Sequence, residues 1–237
     1  HYSFFSPSDL DMLRLPEDAP ERKAIRILNP INEELSLMRT TLAPSMLNAV
    51  ARNQKRGTLS GRLFELGKRF VAEELPLKDY PDERETLCVG VFGEKESFFT
   101  LKGIAEKVAR TLFVKFDYEP VAKPYLHPYQ AAAIFCEGEE IGYLGKVSYE
   151  TEETLDLRNS AYILEIDLKL LEKYYDRRAS FTPLSKFPEE SRDLALVMDK
   201  QVTCGQVEEI IRSSCSYIKA IRLFDVYEGE QIPENKK

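Results

Sequence analysis

Two short apolar runs separated by a glycine-containing turn constrain the fold of this chain more than any other feature. Residues 131–136 are mostly apolar, Glu137-Gly138-Glu139 interrupts them, and residues 141–145 begin a second run. Strands joined by so short a turn pair antiparallel, because a parallel pair needs a long crossover connection. The pattern therefore predicts a β-hairpin within an antiparallel or mixed sheet.

Strand-like and helix-like patterns alternate through the rest of the first 180 residues. Alternation of apolar and polar residues, or a short apolar run, predicts strands over 24–28, 62–70, 87–92 and 162–166. Apolar residues at three- and four-residue steps, together with Ser6, Pro44 and Thr100 as helix starts, predict helices over 9–13, 44–56, 100–113 and 168–175. We expect residues 1–180 to form one α+β domain with a mainly antiparallel sheet and flanking helices.

Eight apolar side chains of these strands are expected to point into the core. Their runs alternate, and the helices over 44–56 and 100–113 are expected to cover the sheet. The eight residues are Phe64, Leu66, Val89, Val91, Ile134, Leu144, Leu164 and Ile166.

A second unit is expected over residues 181–237. Residues 193–198 and 218–227 have strand patterns, and Thr203 can cap a helix between them, so the order is β-α-β. About 50 residues make a marginal independent core. We expect Val197, Ile211, Ile221 and Leu223 to lack part of their cover.

Composition indicates a soluble protein of the reducing cytoplasm. The 237 residues are 43% hydrophobic and 31% charged, with no apolar run near the length of a membrane span and no recognisable targeting peptide. Four widely spaced cysteines and two histidines lack the spacing of a metal site. We therefore predict no metal ligands and no membrane association.

The sequence lacks the motifs of several catalytic classes. It contains no Gly-x-Ser-x-Gly elbow and no phosphate-binding Gly-x-x-x-x-Gly-Lys loop. His127 precedes Pro128 and is interpreted as part of a turn. Carboxylate pairs such as Glu152-Glu153 lie in polar stretches, where we expect solvated charges. No catalytic residue and no cofactor-binding residue is predicted.

Positive charge is concentrated in one segment although the chain has a net charge of -7. Between Arg39 and Phe70 there are seven basic residues and one acid, Glu65. A solvated helix face with a turn explains such a segment, and so does a surface that binds nucleic acid phosphates. Charge alone leaves both interpretations open.

Residues 29–47, NPINEELSLMRTTLAPSML, resemble the run NPIS.E.S.MRTSLLPGLL of phenylalanyl-tRNA synthetase beta subunits. Further landmarks of that family follow in order and cover nearly the whole chain: Leu63-Phe64-Glu65-Leu66-Gly67, His127-Pro128, Ile141-Gly142-Tyr143-Leu144-Gly145, Lys186-Phe187-Pro188, Arg192-Asp193-Leu194-Ala195 and Leu223-Phe224-Asp225-Val226-Tyr227-Glu228-Gly229. One departure is Tyr129-Gln130, where many relatives have Gly-Arg after His-Pro, so no role of that pair is carried over.

The resemblance implies a class II synthetase-like domain that lacks catalytic residues, followed by the first half of a ferredoxin-like anticodon-binding domain. Class II chemistry uses a motif-two arginine and a glycine-rich strand that ends in arginine. Residues 162–168 have neither the glycines nor the arginine. Lys68 and Arg69 are the nearest substitutes, and we expect both at the surface.

The resemblance also implies partners and a function. The parent enzyme joins phenylalanine to tRNA(Phe) with ATP and magnesium, as a heterotetramer of two alpha and two beta subunits, and this fragment would hold no cofactor itself. It would contribute to subunit assembly and tRNA binding. The residues that we predict to contact tRNA are Arg52, Lys55, Arg56, Arg192 and Lys219.

Two other hypotheses remain. A stand-alone synthetase-like paralogue could act as a protein-interaction or regulatory module, and co-purification with an alpha subunit would distinguish it from the first hypothesis. An independent enzyme acting on a small molecule is disfavoured because the catalytic motifs are missing.

Overall fold

The computed structural model describes residues 1–175, 181, 183–184, 186–229, 231–233 and 235–237. The chain divides into two compact units, His1–Ser180 and Phe181–Lys237. The predicted domain boundary at residue 180 falls just outside the described residues.

The first unit is built on a six-stranded sheet in the spatial order β3-β4-β8-β7-β6-β5. Every neighbouring pair in it is antiparallel, so the prediction of an antiparallel sheet in a mixed helix and strand fold is confirmed. The hairpin predicted around Glu137-Gly138 is β6 and β7. The strands of this sheet are β3 (Gly61–Val71), β4 (Asp82–Phe92), β5 (Asp117–Pro120), β6 (Leu126–Cys136), β7 (Glu139–Val147) and β8 (Ala161–Asp167).

Among the described residues of the first unit, five α-helices and a short ribbon accompany the sheet. The ribbon pairs β1 (Phe4–Phe5) with β2 (Leu37–Met38). The helices are α1 (Pro7–Met12), α2 (Ala43–Lys55), α3 (Phe98–Thr111), α4 (Tyr149–Thr154) and α5 (Leu168–Leu171), with single 3-10 turns at Pro20–Arg22, Glu33–Leu35 and Glu172–Tyr174.

Two local predictions need correction. Helix α3 begins after Ser97, and Thr100 is the third helical residue, whose side chain accepts a hydrogen bond from the Ser97 backbone N–H. The predicted strand over 24–28 is wrong, since only a single bridge joins Arg26 to Leu37. Asn29-Pro30 follows at once, and proline lacks the N–H that a longer ladder would need.

Helices cover both faces of the sheet. Helix α2 and the N-terminal segments pack on one face through Met46, Leu47 and Val50, while α3 and α5 pack on the other. Strand β8 lies between β4 and β7 and is buried at every residue. The core therefore consists of two apolar layers, one on each face of the sheet, with β8 between them.

Six of the eight side chains predicted to point inward are buried, but Phe64 and Leu66 are not. Phe64 is 74% exposed and Leu66 is 62% exposed, although each lies opposite a residue of β4 in the same alternation. Both belong to β3, the edge strand, whereas α3 packs on β7 and β8. The alternating pattern correctly predicted a strand. The position of that strand at the edge of the sheet left the side chains of Phe64 and Leu66 exposed.

The second unit contains the predicted helix but not the predicted strands. Helix α6 (Cys204–Ser214) begins with a capping box in which Thr203 accepts from the Gln206 N–H. Residues 193–198 and 218–227 form no strand in the described part of the unit; the only bridge there joins Asp199 to Lys236. A helix is stabilised by its own local hydrogen bonds, whereas a strand needs a ladder partner. Of the four residues expected to lack cover, Val197 and Leu223 are exposed, and Ile211 and Ile221 are partly buried.

A matched pair of truncations tests the correction at the sheet edge. Leu164→Ala should lower the free energy of unfolding by about 2–5 kcal/mol, because the side chain is fully buried. Leu66→Ala should change it by no more than about 0.5 kcal/mol, because the side chain is mostly in solvent. Urea unfolding followed by circular dichroism measures both values, and equal losses would contradict the burial described for β3.

Candidate nucleic-acid interface

Helix α2 presents a cluster of cations at its C-terminal turn. Its apolar positions are buried against the sheet, which leaves Arg52, Lys55 and Arg56 on the exposed side. The helix ends at Lys55 with Arg56 as its C-cap, and Gly57 follows with φ +89°, a left-handed conformation that glycine adopts without strain. Cations are also favourable here because the C-terminal end of a helix dipole is negative.

These three cations line an open groove of about 540 Å³. Lys55 lies 3.8 Å from Asp156, and both side chains are exposed, so this ion pair holds the lysine only weakly. Neither Arg52 nor Arg56 has an ion pair among the residues that the structure describes. The other residues that line the groove are Ser8, Asp9, Met12, Asn48, Ala51, Thr154 and Leu155.

The other four basic residues of the Arg39 to Phe70 segment have structural partners. Arg39 is buried and donates to Glu65 at 2.7 Å and to the Lys68 carbonyl at 2.7 Å. Arg62 donates to both carboxylate oxygens of Glu96, at 2.9 and 3.1 Å. The excess of positive charge in this segment therefore reaches solvent mainly at the end of α2.

Lys68 and Arg69 differ in exposure. Lys68 is exposed and pairs with Glu83 at 2.7 Å, which confirms its expected surface position. Arg69 is only partly exposed, with 26% of its side chain accessible, and it pairs with Asp167 at 2.6 Å. Asp167 is the last residue of β8 and lies beside β4. Its carboxylate is therefore within reach of Arg69 on the neighbouring strand β3.

Asp167 and Asp82 gather cations near the start of β4. Asp167 caps α5 by accepting from the Leu170 N–H at 3.1 Å, and it accepts from Arg84 at 3.2 Å. Asp82 pairs with Arg84 at 2.7 Å and with Lys169. The hydrogen bond from Lys169, assisted by Arg84, holds the pKa of Asp82 below its ordinary value. These arginines are therefore engaged by carboxylates of the same unit.

A buried carboxylate that sequence reasoning missed connects α2 to the sheet. Glu165 of β8 accepts from the Leu42 N–H at 2.5 Å, from the Thr41 hydroxyl at 2.9 Å and from the Tyr143 hydroxyl at 2.7 Å. Burial raises the pKa of Tyr143, and the charge of Glu165 adds to this effect. A glutamate inside the otherwise apolar run of residues 162–166 was the signal that could have identified it.

Glu152 is a second correction. It was interpreted as a solvated charge, but it is partly buried and accepts from the Ala161 N–H at 3.0 Å. Burial raises its pKa. Its partner is a backbone amide at the start of β8, which indicates a structural role.

Two candidate tRNA contacts lie in the second unit. Arg192 and Lys219 are exposed, outside any helix or strand, and Arg192 forms an ion pair with Glu190. The structure thus brings together Arg52, Lys55 and Arg56, while Arg192 and Lys219 belong to a unit that is described separately.

Within the described residues there is neither a candidate metal cluster nor a helix that could span a membrane. No group of three or more histidine, cysteine, aspartate or glutamate side chains there could hold a metal ion. No helix in the same part of the chain is long and apolar enough to cross a membrane.

Comparison with protein families identifies both units. The model of the phenylalanyl tRNA synthetase beta chain CLM domain matches residues 1–168. The chain belongs to the phenylalanyl-tRNA synthetase beta chain family. The model of the ferredoxin-fold anticodon binding domain matches residues 185–237, where α6 is formed and the predicted strands are not.

Curated relatives match the whole chain. The phenylalanine–tRNA ligase beta subunit of Clostridium tetani is 38% identical over 239 residues, and that of Clostridium acetobutylicum is 34% identical over 240 residues. Each match covers 100% of this chain and 30% of the relative. The chain therefore spans about a third of the length of the beta subunits that it matches.

A solved structure shares the fold. Pyrrolysyl-tRNA synthetase from Desulfitobacterium hafniense superposes with a TM-score of 0.57 at 15% identity, over 73% of this chain and 61% of that protein. At this identity the likeness concerns fold alone. This chain and pyrrolysyl-tRNA synthetase therefore have similar folds.

The cluster at Asp82 leads to a pH-dependent prediction. A carboxyl whose pKa is depressed by folding adds stability above its unfolded pKa, and this contribution is lost as the pH falls through the folded pKa. Asp82→Asn should therefore lower the free energy of unfolding at pH 7 by up to about 1 kcal/mol, a modest value because these ion pairs are partly exposed to solvent. The difference from the unmodified chain should shrink below about pH 4. Urea unfolding at several pH values measures it.

Glu94→Gln is the control for this experiment, because it removes an exposed carboxylate beyond the opposite end of β4. A destabilisation by Asp82→Asn that persists unchanged in acid would show that the ion pairs are not its source.

Proposed function

We propose that this chain is the part of a phenylalanine–tRNA ligase beta subunit that supports assembly of the enzyme and contacts tRNA(Phe). The observation that carries the proposal is the order of two family matches on one chain, the beta chain CLM domain over 1–168 and the anticodon binding domain over 185–237. In this proposal residues 1–180 form a class II synthetase-like domain without catalysis. Residues 181–237 contribute the first half of the ferredoxin-like domain.

Catalysis belongs to the alpha subunit in this proposal, with ATP and magnesium bound there. Adenylate formation requires cations directed at the reacting phosphates. Arg69 and Arg84 instead donate to Asp167, and Glu165 with its donors occupies the sheet face beneath α2. These contacts support a role as a scaffold.

The proposed partners are the alpha subunit, in a cytoplasmic heterotetramer of two alpha and two beta subunits, and tRNA(Phe). Co-expression with the alpha subunit of the same genome tests the first partner. Co-purification in a stable complex is the expected result. Failure to associate, with the chain folded, would favour the stand-alone regulatory module.

For tRNA, the groove at the end of α2 is the proposed contact of the first unit. Arg52, Lys55 and Arg56 are exposed there within one helical turn, so they can neutralise neighbouring phosphates. Arg192 and Lys219 are the proposed contacts of the second unit. All of these side chains are suited to backbone contact, which positions RNA without reading its sequence.

The double variant Arg52→Gln with Lys55→Gln should weaken binding of tRNA(Phe) by the complex with the alpha subunit. Each lost phosphate contact should reduce the slope of log K against log salt by roughly one, so we expect a reduction of roughly two. Fluorescence titration at several salt concentrations measures the slope.

The matched control is Lys107→Gln with Arg110→Gln, which removes one lysine and one arginine from the exposed side of α3, on the opposite face of the sheet. Equal slopes for the two double variants would reject the groove as a tRNA contact and would leave the family assignment unaffected.

The purified chain alone should not activate phenylalanine or deacylate mischarged tRNA. The physical reason is that Asp82 and Asp167 neutralise its arginines near β4, and residues 162–168 lack the glycines and the arginine that class II chemistry uses. Pyrophosphate exchange and deacylation assays measure both activities. Turnover that is abolished by a point substitution within residues 1–180 would contradict the proposal.

A further inference from the structure

Strand β6 has a bulge in its pairing with β7. Leu126 lies opposite Val147 and Ala131 lies opposite Gly145, so residues 127–130 of β6 face the single residue Lys146 of β7. Bulges change the direction of side chains and are frequent beside functional sites. This bulge displaces residues 127–130 from the regular ladder of the hairpin.

The bulge places the ring of Tyr129 in solvent. Tyr129 is 91% exposed, so its ring contributes little to the core. Its backbone N–H donates to His127 Nδ1 at 3.2 Å, which satisfies the amide and ties the two residues together. Because Nδ1 accepts this bond, the N–H of the neutral imidazole lies on Nε2. The bulge therefore offers an exposed aromatic ring beside a hydrogen-bond donor.

A third ring completes a cluster at this bulge. The centre of the His127 ring lies 6.1 Å from that of Tyr129 and 5.5 Å from that of Tyr149, both edge to face. Lys146 is buried and its Nζ lies 4.5 Å from the centre of the Tyr149 ring, a cation–π contact that holds the ring in place. Tyr149 is still 62% exposed. His127, Tyr129 and Tyr149 form the aromatic platform.

Helix α4 connects the aromatic platform to the cationic groove. Tyr149 is its first residue, whereas Thr154 and Leu155 at its other end line the groove together with Arg52 and Lys55. Five residues of helix rise about 7.5 Å, which is about two nucleotides of a stacked strand at roughly 3.4 Å each. A nucleic acid strand held in the groove by its phosphates can therefore reach the platform with a neighbouring base.

The charges near the aromatic platform favour a base as its ligand. Glu150 and Glu153 are exposed on α4, and their carboxylates repel phosphate. A cationic side chain of a protein is also disfavoured, because Lys146 already lies against the Tyr149 ring and like charges repel. A nucleobase is uncharged and stacks on aromatic rings. Phosphates therefore suit the groove and a base suits the platform.

We propose that the aromatic platform stacks an unpaired base of an RNA strand whose phosphates lie in the groove at the end of α2. The inference rests on the proposed function, because it takes the groove to be an RNA contact. The base lies on the ring of Tyr129, and the His127 Nε2–H donates to an acceptor on the edge of the base. Every base has an aromatic face, so the site selects unpaired over paired nucleotides without reading sequence.

Tyr129→Ala tests the stacking contact on the purified chain. The probes are a short single-stranded RNA and an RNA duplex of the same length, each titrated by fluorescence anisotropy at several salt concentrations. The substitution should weaken single-strand binding about fivefold or more and leave duplex binding unchanged. It removes no charge, so the slope of log K against log salt should stay the same. Tyr129→Phe keeps the ring and should bind as the unmodified chain does.

Tyr80→Ala is the matched control, because it removes a tyrosine that is 94% exposed between β3 and β4, away from the platform. It should leave the binding of both probes unchanged. Circular dichroism checks that each variant is folded. The double variant Arg52→Gln with Lys55→Gln reports on the groove separately, since it should lower the salt slope for both probes.

Four results would overturn the proposal. One is normal single-strand binding by Tyr129→Ala while the groove variant still lowers the salt slope, which leaves the proposed function standing. Another is an equal loss for both probes in Tyr129→Ala. Failure of the unmodified chain to bind either probe would reject the platform and the groove together. Normal RNA binding by Tyr129→Ala with loss of co-purification with the alpha subunit would assign the platform to a protein contact.

Discussion

The carboxylate of Glu165 is the interaction on which the first unit depends. It lies in a central strand of the sheet, yet it accepts from the backbone amide of Leu42, the N-cap residue of α2, and from two hydroxyl groups. Removing one donor would leave a buried acceptor unsatisfied, at a cost of about 1–3 kcal/mol. A negative charge at this place also complements the positive end of the helix dipole. The carboxylate therefore fixes where α2 begins, and so where its last turn carries the three cations of the groove.

Most of the remaining polar groups of the first unit serve its own architecture. Arg39 closes part of the β3 edge, Asp167 holds two arginines, and Glu152 accepts from the start of β8. Because helices cover both faces of the sheet, little of the surface of this unit is strongly charged or carries unpaired strand backbone. The exceptions are the cationic groove beside α2 and part of the edge strand β3.

The second unit shows how local and non-local hydrogen bonding differ in what they require. Helix α6 forms because Thr203 and Gln206 satisfy its first amides and every later bond lies within eleven residues. The segments on either side have equally clear apolar patterns, and their side chains remain mostly in solvent. An alternating apolar pattern indicates that a segment can pack in a sheet. Without neighbouring strands to pair with, the same segment gains no stability from that pattern.

The sequence by itself determined the elements whose causes are local: α2, α3, α6, the hairpin of β6 and β7, and the antiparallel sheet that this hairpin required. Family motifs in the sequence also indicated the beta chain family. Tertiary structure alone decided which residues of one pattern are buried. Phe64 and Val89 alternate identically, but one lies on an edge strand and the other beneath α3. Arg39 and Arg52 are both basic, yet one is enclosed by Glu65 and the other faces solvent. Burial depends on what a distant segment places above a residue, and no local period contains that information.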